Sequence, residues 1–172
     1  MKKNHLTRAG FTLLELILYV GISSIILIIT SLFLSTIIQS RVKNQTIAEV
    51  EQQGLQVMQI ITQATRNADN INSPATSTSA AIFSMNTIIS LNNPTVFGLA
   101  TGTIRIKEGS ATAVNITNSR VIASGLTFQN LSRPSTPGTI RIQFTLTHAN
   151  PEGRNEYSFS KTFIGSATLR QP

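Results

Sequence analysis

Glu15 is the residue of this sequence whose type and position most need a chemical explanation. It is a carboxylate at the start of an apolar segment, and a charge costs about 2.5 to 3.5 kcal/mol at a bilayer centre and less near its edge. In a helix that begins at Phe11, Glu15 would lie in the first turn, where the helix dipole favours an anion. A cut after Gly10 would give Phe11 an ammonium group one helical turn from Glu15, so the two charges could pair. A glutamate that only reaches out to lipid headgroups is the alternative interpretation.

The segment that must position Glu15 is typical of a membrane span. Leu16 to Ile38 are 23 residues without a charge, which as a helix extend roughly 35 Å and exceed a hydrocarbon core of about 30 Å. A cleaved secretory signal fits poorly, because its small-residue cleavage site would follow the apolar region, whereas Gly10 precedes it. The charge bias modestly favours a cytoplasmic N-terminus, with three cations before the span and two after it: Lys2, Lys3 and Arg8, then Arg41 and Lys43.

Length, cysteine content and charge limit the number of domains, the kinds of site and the partners that this chain can have. A chain of 172 residues holds one ordinary domain and one further element, and without cysteine it has neither disulfides nor a thiolate metal site. Loss of the three leader cations would lower the formal charge from +7 to +4. The basic residues beyond position 40 are scattered and lack interleaved aromatic side chains, so nucleic acid is a weakly supported partner.

The inventory of catalytic groups is small. His5 would leave with the leader, His148 lies in a turn-like Thr-His-Ala-Asn-Pro sequence, and Asp69 is the sole aspartate. Neither a hydrolytic triad nor a histidine-rich metal site assembles readily from these residues. We therefore expect no enzyme, no cofactor and no metal, and we expect His148 to be a surface loop residue.

The N-terminal forty residues resemble the motif of type IV prepilins and pseudopilins. A basic leader ends in Gly10, and Phe11 opens the sequence Phe-Thr-Leu-Leu-Glu-Leu, which runs into the apolar segment. The resemblance implies that a membrane prepilin peptidase cuts between Gly10 and Phe11 on the cytoplasmic side. It also implies N-methylation of Phe11 and an assembly role for Glu15. The chain would then be the substrate of an enzyme rather than an enzyme.

Three departures bear on the subtype. Leu32 stands where many major pilins have a proline in the membrane helix, and the missing cysteines exclude their C-terminal disulfide. The clustered carboxylates of the calcium site in major pseudopilins have no obvious counterpart here. The stretch from Glu51 to Ile71 resembles the helix end of minor subunits of the W or J type, which implies a low-abundance subunit.

Beyond the span, the pattern predicts that the helix continues into water as an amphipathic helix. Apolar residues recur every three to five positions and polar ones lie between them, and no proline occurs before Pro74. We expect one nearly continuous helix from Phe11 to about Ala68. Its predicted buried residues are Ile47, Val50, Leu55, Met58 and Ile61, and its predicted exposed residues are Glu49, Gln52, Gln56 and Gln63.

The C-terminal half alternates between apolar and polar residues, as half-buried strands do. The clearest segments are 103–107, 139–147 and 157–164, and weaker candidates are 81–85, 95–99, 112–117 and 126–131. We predict an α+β, pilin-like fold, with a long N-terminal helix packed against an antiparallel β-sheet. The predicted division is a leader (1–10), a transmembrane helix (11–40), its amphipathic continuation (41–71), a loop (72–80) and a β-rich extracytoplasmic domain (81–172).

These features together predict a filament subunit. The chain would be a single-pass protein of the cytoplasmic membrane that is processed and then assembled into a type IV pilus, a type II secretion pseudopilus or a DNA-uptake filament. Its partners would be prepilin peptidase, other pilin or pseudopilin subunits, the inner-membrane assembly machinery and lipid. The alternative is an uncut, monomeric, membrane-anchored module whose β domain binds a ligand. A third interpretation combines the two in a tip subunit that both primes assembly and binds a ligand.

Overall fold

The computed structural model describes residues 10–170, so the leader cations at positions 2, 3 and 8 lie outside the described residues. Within this range one helix, α1 (Leu13–Arg66), precedes nine β-strands and two short 3-10 helices, Ser90–Asn92 and Asn155–Tyr157. The strands are β1 (Ala68–Ser73), β2 (Ser79–Ala80), β3 (Phe83–Thr87), β4 (Thr95–Ala100), β5 (Thr103–Glu108), β6 (Val114–Asn115), β7 (Val121–Asn130), β8 (Thr139–His148) and β9 (Ser160–Thr168). The predicted α+β class is confirmed.

The chain divides into two compact units, one ending at Arg41 and the other beginning at Val42. In the first unit, α1 is long and apolar enough to cross a membrane, and none of its most apolar window is buried. Three of its hydroxyl groups are satisfied within the helix, because Ser24, Thr30 and Thr36 donate to the carbonyl four residues earlier at 2.8, 2.7 and 3.1 Å. At these three positions the hydroxyl group therefore leaves no unpaired donor on the apolar surface.

The second unit contains two antiparallel sheets. Five strands are ordered β1-β3-β4-β5-β6, and four are ordered β2-β7-β8-β9. The sheets meet through their inner faces, where Phe83 of β3 stacks on Phe128 of β7 with ring centroids 5.2 Å apart. On β8 and β9, Phe144 and Phe163 stack at 5.4 Å. These aromatic rings form the centre of a core that extends from Val50 to Leu169.

The helix joins this core along a stripe that differs from the predicted one. The buried helix residues are Thr46, Val50, Gly54, Val57, Ile61 and Thr65. The predictions for Val50 and Ile61 are confirmed, whereas Leu55 is 66% exposed and its predicted burial is wrong. Glu49, expected to be mostly exposed, is half-buried because it meets Arg120 and His148.

Several boundaries also differ from the sequence prediction. The helix ends at Arg66 instead of extending to residue 71, and the polar segment that follows is strand β1 instead of loop. Ala68 pairs with Thr87 and Ile71 with Met85, so backbone pairing with β3 overrides the turn preference of the asparagines in β1. Strand β7 likewise begins at Val121, before the predicted start at residue 126. Strand β9 is Ser160–Thr168 instead of the predicted 157–164, because Tyr157 belongs to the preceding 3-10 helix.

Candidate functional site

The predicted cleavage site lies just outside the helix. Thr12 precedes the first helical residue, and its side-chain oxygen accepts the N–H of Glu15 at 3.3 Å while its carbonyl accepts the N–H of Leu16 at 3.1 Å. Thr12 thus acts as the N-cap and satisfies donors that have no partner within the helix. The Gly10 to Phe11 peptide bond consequently precedes the capped turn, and both residues are exposed.

Gly10 has no packing role among the described residues. A Cβ added at position 10 would meet nothing within 4 Å, so space alone permits a larger side chain there. Phe11 is 73% exposed. The structure therefore places the two predicted cleavage residues side by side, accessible and outside regular structure.

Glu15 and Phe11 lie on the same side of the first turns, next to Tyr19. The Tyr19 hydroxyl donates to Glu15 Oε1 at 3.4 Å, and the Phe11 ring meets the Tyr19 ring edge-on, with centroids 5.9 Å apart. Glu15 lies in the first helical turn, as the dipole argument requires, although the helix begins at Leu13 and not at Phe11. Tyr19 thus contacts the side chains of both Glu15 and Phe11, which lie four residues apart in the sequence.

Sequence reasoning missed two members of this site. Thr12 is followed three positions later by Glu15, which is the spacing of a capping box, and that signal was present in the sequence. Tyr19 follows Glu15 by four positions, the spacing at which helical side chains meet. Both contacts are local, so the sequence contained enough information to find them.

A second polar cluster lies in the unit that begins at Val42. His148 Nε2 is 3.6 Å from Glu49 Oε2, and Arg120 Nη1 is 3.3 Å from Glu49 Oε1. The His148 ring stacks on Tyr157 with centroids 5.7 Å apart, and its side chain is 11% exposed. The prediction of a surface loop residue is therefore wrong: His148 is the last residue of β8 and packs beneath the following loop.

Charged groups fasten that loop to α1. Lys43 Nζ donates to the carbonyls of Asn155 at 3.2 Å and Ser158 at 2.6 Å. Arg154 forms an ion pair with Glu156. The Glu156 backbone amide and then the Arg154 guanidinium hold the pKa of Glu156 below its usual value, and Glu156 raises the pKa of Arg154. These groups are used in holding the loop, which gives the cluster a structural role.

An open cavity of about 800 Å³ lies at the C-terminal end of α1. Met85, Ile88 and Ile89 contribute apolar surface, while two cations and two carboxylates also line it: Arg66, Arg170, Asp69 and Glu108. The opposite charges balance, so the lining favours neither an anionic nor a cationic ligand.

Comparison with known proteins identified no relative of this chain. No family model, curated protein or solved structure matches this chain. Within residues 10–170, no group of three or more His, Cys, Asp or Glu side chains is placed to hold a metal ion.

Proposed function

We propose that this chain is the precursor of a type IV pilin-like filament subunit, cut between Gly10 and Phe11. The observation that carries the proposal is the position of this exposed bond, immediately before the Thr12-capped start of an apolar helix. A peptidase must bind its substrate in an accessible, non-helical form, and here the helix begins only after the bond. The basic leader and the Phe-Thr-Leu-Leu-Glu-Leu sequence support the same conclusion.

Cleavage would create an ammonium group at Phe11 that could form an ion pair with the Glu15 carboxylate. The new Phe11 ammonium would lie near a carboxylate that has the Tyr19 hydroxyl as its partner in the uncut chain. A pair within one subunit stabilises only that subunit, whereas a pair with the Phe11 ammonium of a neighbouring copy would favour assembly. N-methylation of Phe11 retains the positive charge and is compatible with either pairing.

The exposed apolar surface of α1 also supports assembly into a filament. Between Leu13 and Ile38 the large hydrophobic side chains are exposed, so lipid or other subunits would have to cover them. Gly21 has open space around it, and small residues at such positions allow membrane helices to approach closely. We propose a single-pass protein with a cytoplasmic N-terminus that leaves the membrane as a minor subunit of a pilus or pseudopilus.

Processing is the direct test. Co-expression with an active prepilin peptidase should remove residues 1–10, and mass spectrometry of the purified chain should find Phe11 as the N-terminus, with an added methyl group where the peptidase also methylates. Gly10→Leu should block cleavage while leaving membrane insertion unchanged, because the apolar segment is intact. Gly21→Leu provides a matched control that should still be cut.

The same measurement separates the proposal from an uncut membrane-anchored binding module. If Met1 to Gly10 remain attached in the presence of an active peptidase, or if cleavage occurs after Ile38, the pilin-like assignment is wrong.

A further inference from the structure

Strand β9 is an edge strand with few of the features that usually protect an edge. It is the last strand of its sheet, paired with β8 on one side and with no strand on the other among residues 10–170. Its nine residues pair with β8 in a constant register from Thr139↔Thr168 to Thr147↔Ser160. The strand contains no proline, and Lys161 is its one charged residue. Long, regular edges of this kind are templates for another strand.

The hydrogen-bond pattern shows which backbone groups of β9 are available. Leu169 N–H donates to the Gly138 carbonyl at 2.8 Å, and His148 N–H donates to the Phe159 carbonyl at 2.9 Å. Odd-numbered residues of this strand therefore bond to β8, and in an antiparallel ladder the intervening residues point their N–H and C=O groups away. The outward groups belong to Ser160, Thr162, Ile164, Ser166 and Thr168.

A groove on α1 lies next to this edge. Glu51, Leu55, Met58 and Thr62 follow one another at four-, three- and four-residue steps and so form one stripe of the helix. Two members of the stripe meet β9: Glu51 Oε1 is 2.5 Å from Lys161 Nζ, and a Cβ on Gly165 would lie 2.7 Å from Met58 Sδ. Leu55, Met58 and Thr62 also line an open groove of about 670 Å³ that extends to Arg66.

We propose that β9 and this groove bind an extended segment of a partner polypeptide, which adds a tenth strand to the domain. An added strand lies about 4.8 Å from its neighbour, so its inward side chains would rest on the helix stripe beside β9. That position would cover Leu55, which is 66% exposed. The proposal does not depend on cleavage at Gly10.

The chemistry of the partner follows from the two surfaces. Inward positions should be apolar, because they face Leu55 and Met58. Outward positions should be small and hydroxylated, because they extend a row in which Thr145 Oγ1 and Thr162 Oγ1 are 2.8 Å apart. Arg66 lines the far end of the groove and has no ion-pair partner in the part of the chain that the structure describes. A carboxylate should meet it at the N-terminal end of a strand antiparallel to β9.

A synthetic peptide tests the proposal directly. The probe is fluorescein-labelled Asp-Thr-Val-Thr-Val-Thr-Val-Thr-Val, in which the aspartate shares the inward face with the valines, and its binding to the full-length chain in detergent micelles is followed by fluorescence anisotropy, with empty micelles as the blank. Saturable binding is expected, and a scrambled peptide of the same composition should bind at least about tenfold more weakly. Equal binding of the two peptides would overturn the proposal.

Two N-methylated versions of the probe discriminate strand addition from adhesion to an apolar surface. Residues that pair across strands share a face, so the threonine amides should bond to β9 and the valine amides should point away. N-methylation of the threonine amides should weaken binding about tenfold or more, because several backbone hydrogen bonds are lost. N-methylation of the valine amides should have little effect. Equal losses from both would exclude a β9 ladder.

Variants of the protein supply the complementary test. Ile164→Pro removes one outward N–H, at a kind of edge position where proline is tolerated, and should weaken binding about tenfold. Ile164→Val keeps the N–H and should bind as the unmodified chain does. Leu55→Glu should also weaken binding by blocking the groove. Full affinity in a folded Ile164→Pro chain would refute the proposal, and thermal unfolding of each variant establishes that it is folded.

Discussion

Glu15 is a half-buried carboxylate on a helix surface made almost entirely of exposed apolar side chains. Its backbone N–H is bonded to Thr12 and one side-chain oxygen accepts from Tyr19, so the surrounding residues position the group without neutralising it. In a membrane edge an unneutralised charge is costly, and an ammonium partner would offset that cost. On the proposed cleavage, the Phe11 ammonium would be that partner.

Substituting Glu15 tests this role. Glu15→Gln preserves size and hydrogen bonding but removes the charge, so cleavage should stay near normal while incorporation into purified filaments falls several-fold. Glu108→Gln is the matched control, because Glu108 is an exposed carboxylate on β5 and should leave incorporation unchanged. The amount of subunit in filaments, normalised to the membrane fraction, measures the effect. Equal incorporation of Glu15→Gln and the unmodified chain would show that the charge has no part in assembly.

At the scale of elements, α1 approaches β9 closely because small residues lie where the two surfaces touch. A Cβ added to Gly54 would overlap the ring of Phe163, and Gly165 of β9 leaves room for Met58. Gly54 is therefore not the weak point of the helix that its propensity suggests. It is the position at which an aromatic ring of the sheet rests on the helix backbone.

Gly54→Ala should consequently destabilise the domain. Alanine gains about 1 kcal/mol of helix propensity over glycine, but overpacking a filled core typically costs 1–3 kcal/mol. Phe163 also stacks on Phe144, so its ring is not free to move aside. We expect a lower midpoint of chemical unfolding for Gly54→Ala and no change for Gly21→Ala, which has open space around it. A higher midpoint for Gly54→Ala would mean that helix propensity outweighs the overlap.

Ile61 and Leu55 give a paired test of which helix stripe is buried. Ile61 is fully buried and Leu55 is 66% exposed. Ile61→Ala should lower the free energy of unfolding by about 2–5 kcal/mol, whereas Leu55→Ala should change it by no more than about 0.5 kcal/mol. Urea unfolding of the two variants measures both values. Comparable losses would place Leu55 in the core and contradict the observed stripe.

At the scale of the whole molecule, every residue of the hydrophobic core belongs to the unit that begins at Val42. The apolar residues before Arg41 contribute surface and not core, since they remain exposed. The two units thus differ: one exposes a continuous apolar surface, and the other contains its own core. Stability of the β domain should accordingly not depend on the apolar segment.

A fragment comprising residues 42–172 should fold in the absence of detergent. Its thermal transition should lie within a few degrees of that of the full chain in micelles, because the same core is buried in both. Circular dichroism at the far-ultraviolet bands of helix and strand follows the transition. A fragment that aggregates or melts without cooperativity would show that residues before Val42 are needed for the fold.

Local features of this protein are determined by the sequence alone. The apolar segment, the helix before Pro74, the main alternating strands and the adjacency of Gly10, Phe11 and Glu15 all depend on residues near one another in the chain. The Thr12 cap and the Tyr19 contact belong to the same class, since both connect positions within one or two helical turns. Periodicity and spacing suffice for such features because their partners are fixed by helix geometry.

Tertiary structure decided the features that depend on distant partners. Leu55 and Val57 are both apolar, and the position of β9 and the core, not the helical pattern, left the first exposed and buried the second. The asparagine-rich segment after α1 became strand β1 because β3 offered it a ladder, and His148 became half-buried because Glu49 and Tyr157 meet it. Each outcome rests on residues far apart in sequence, and no local preference encodes which of them will come together.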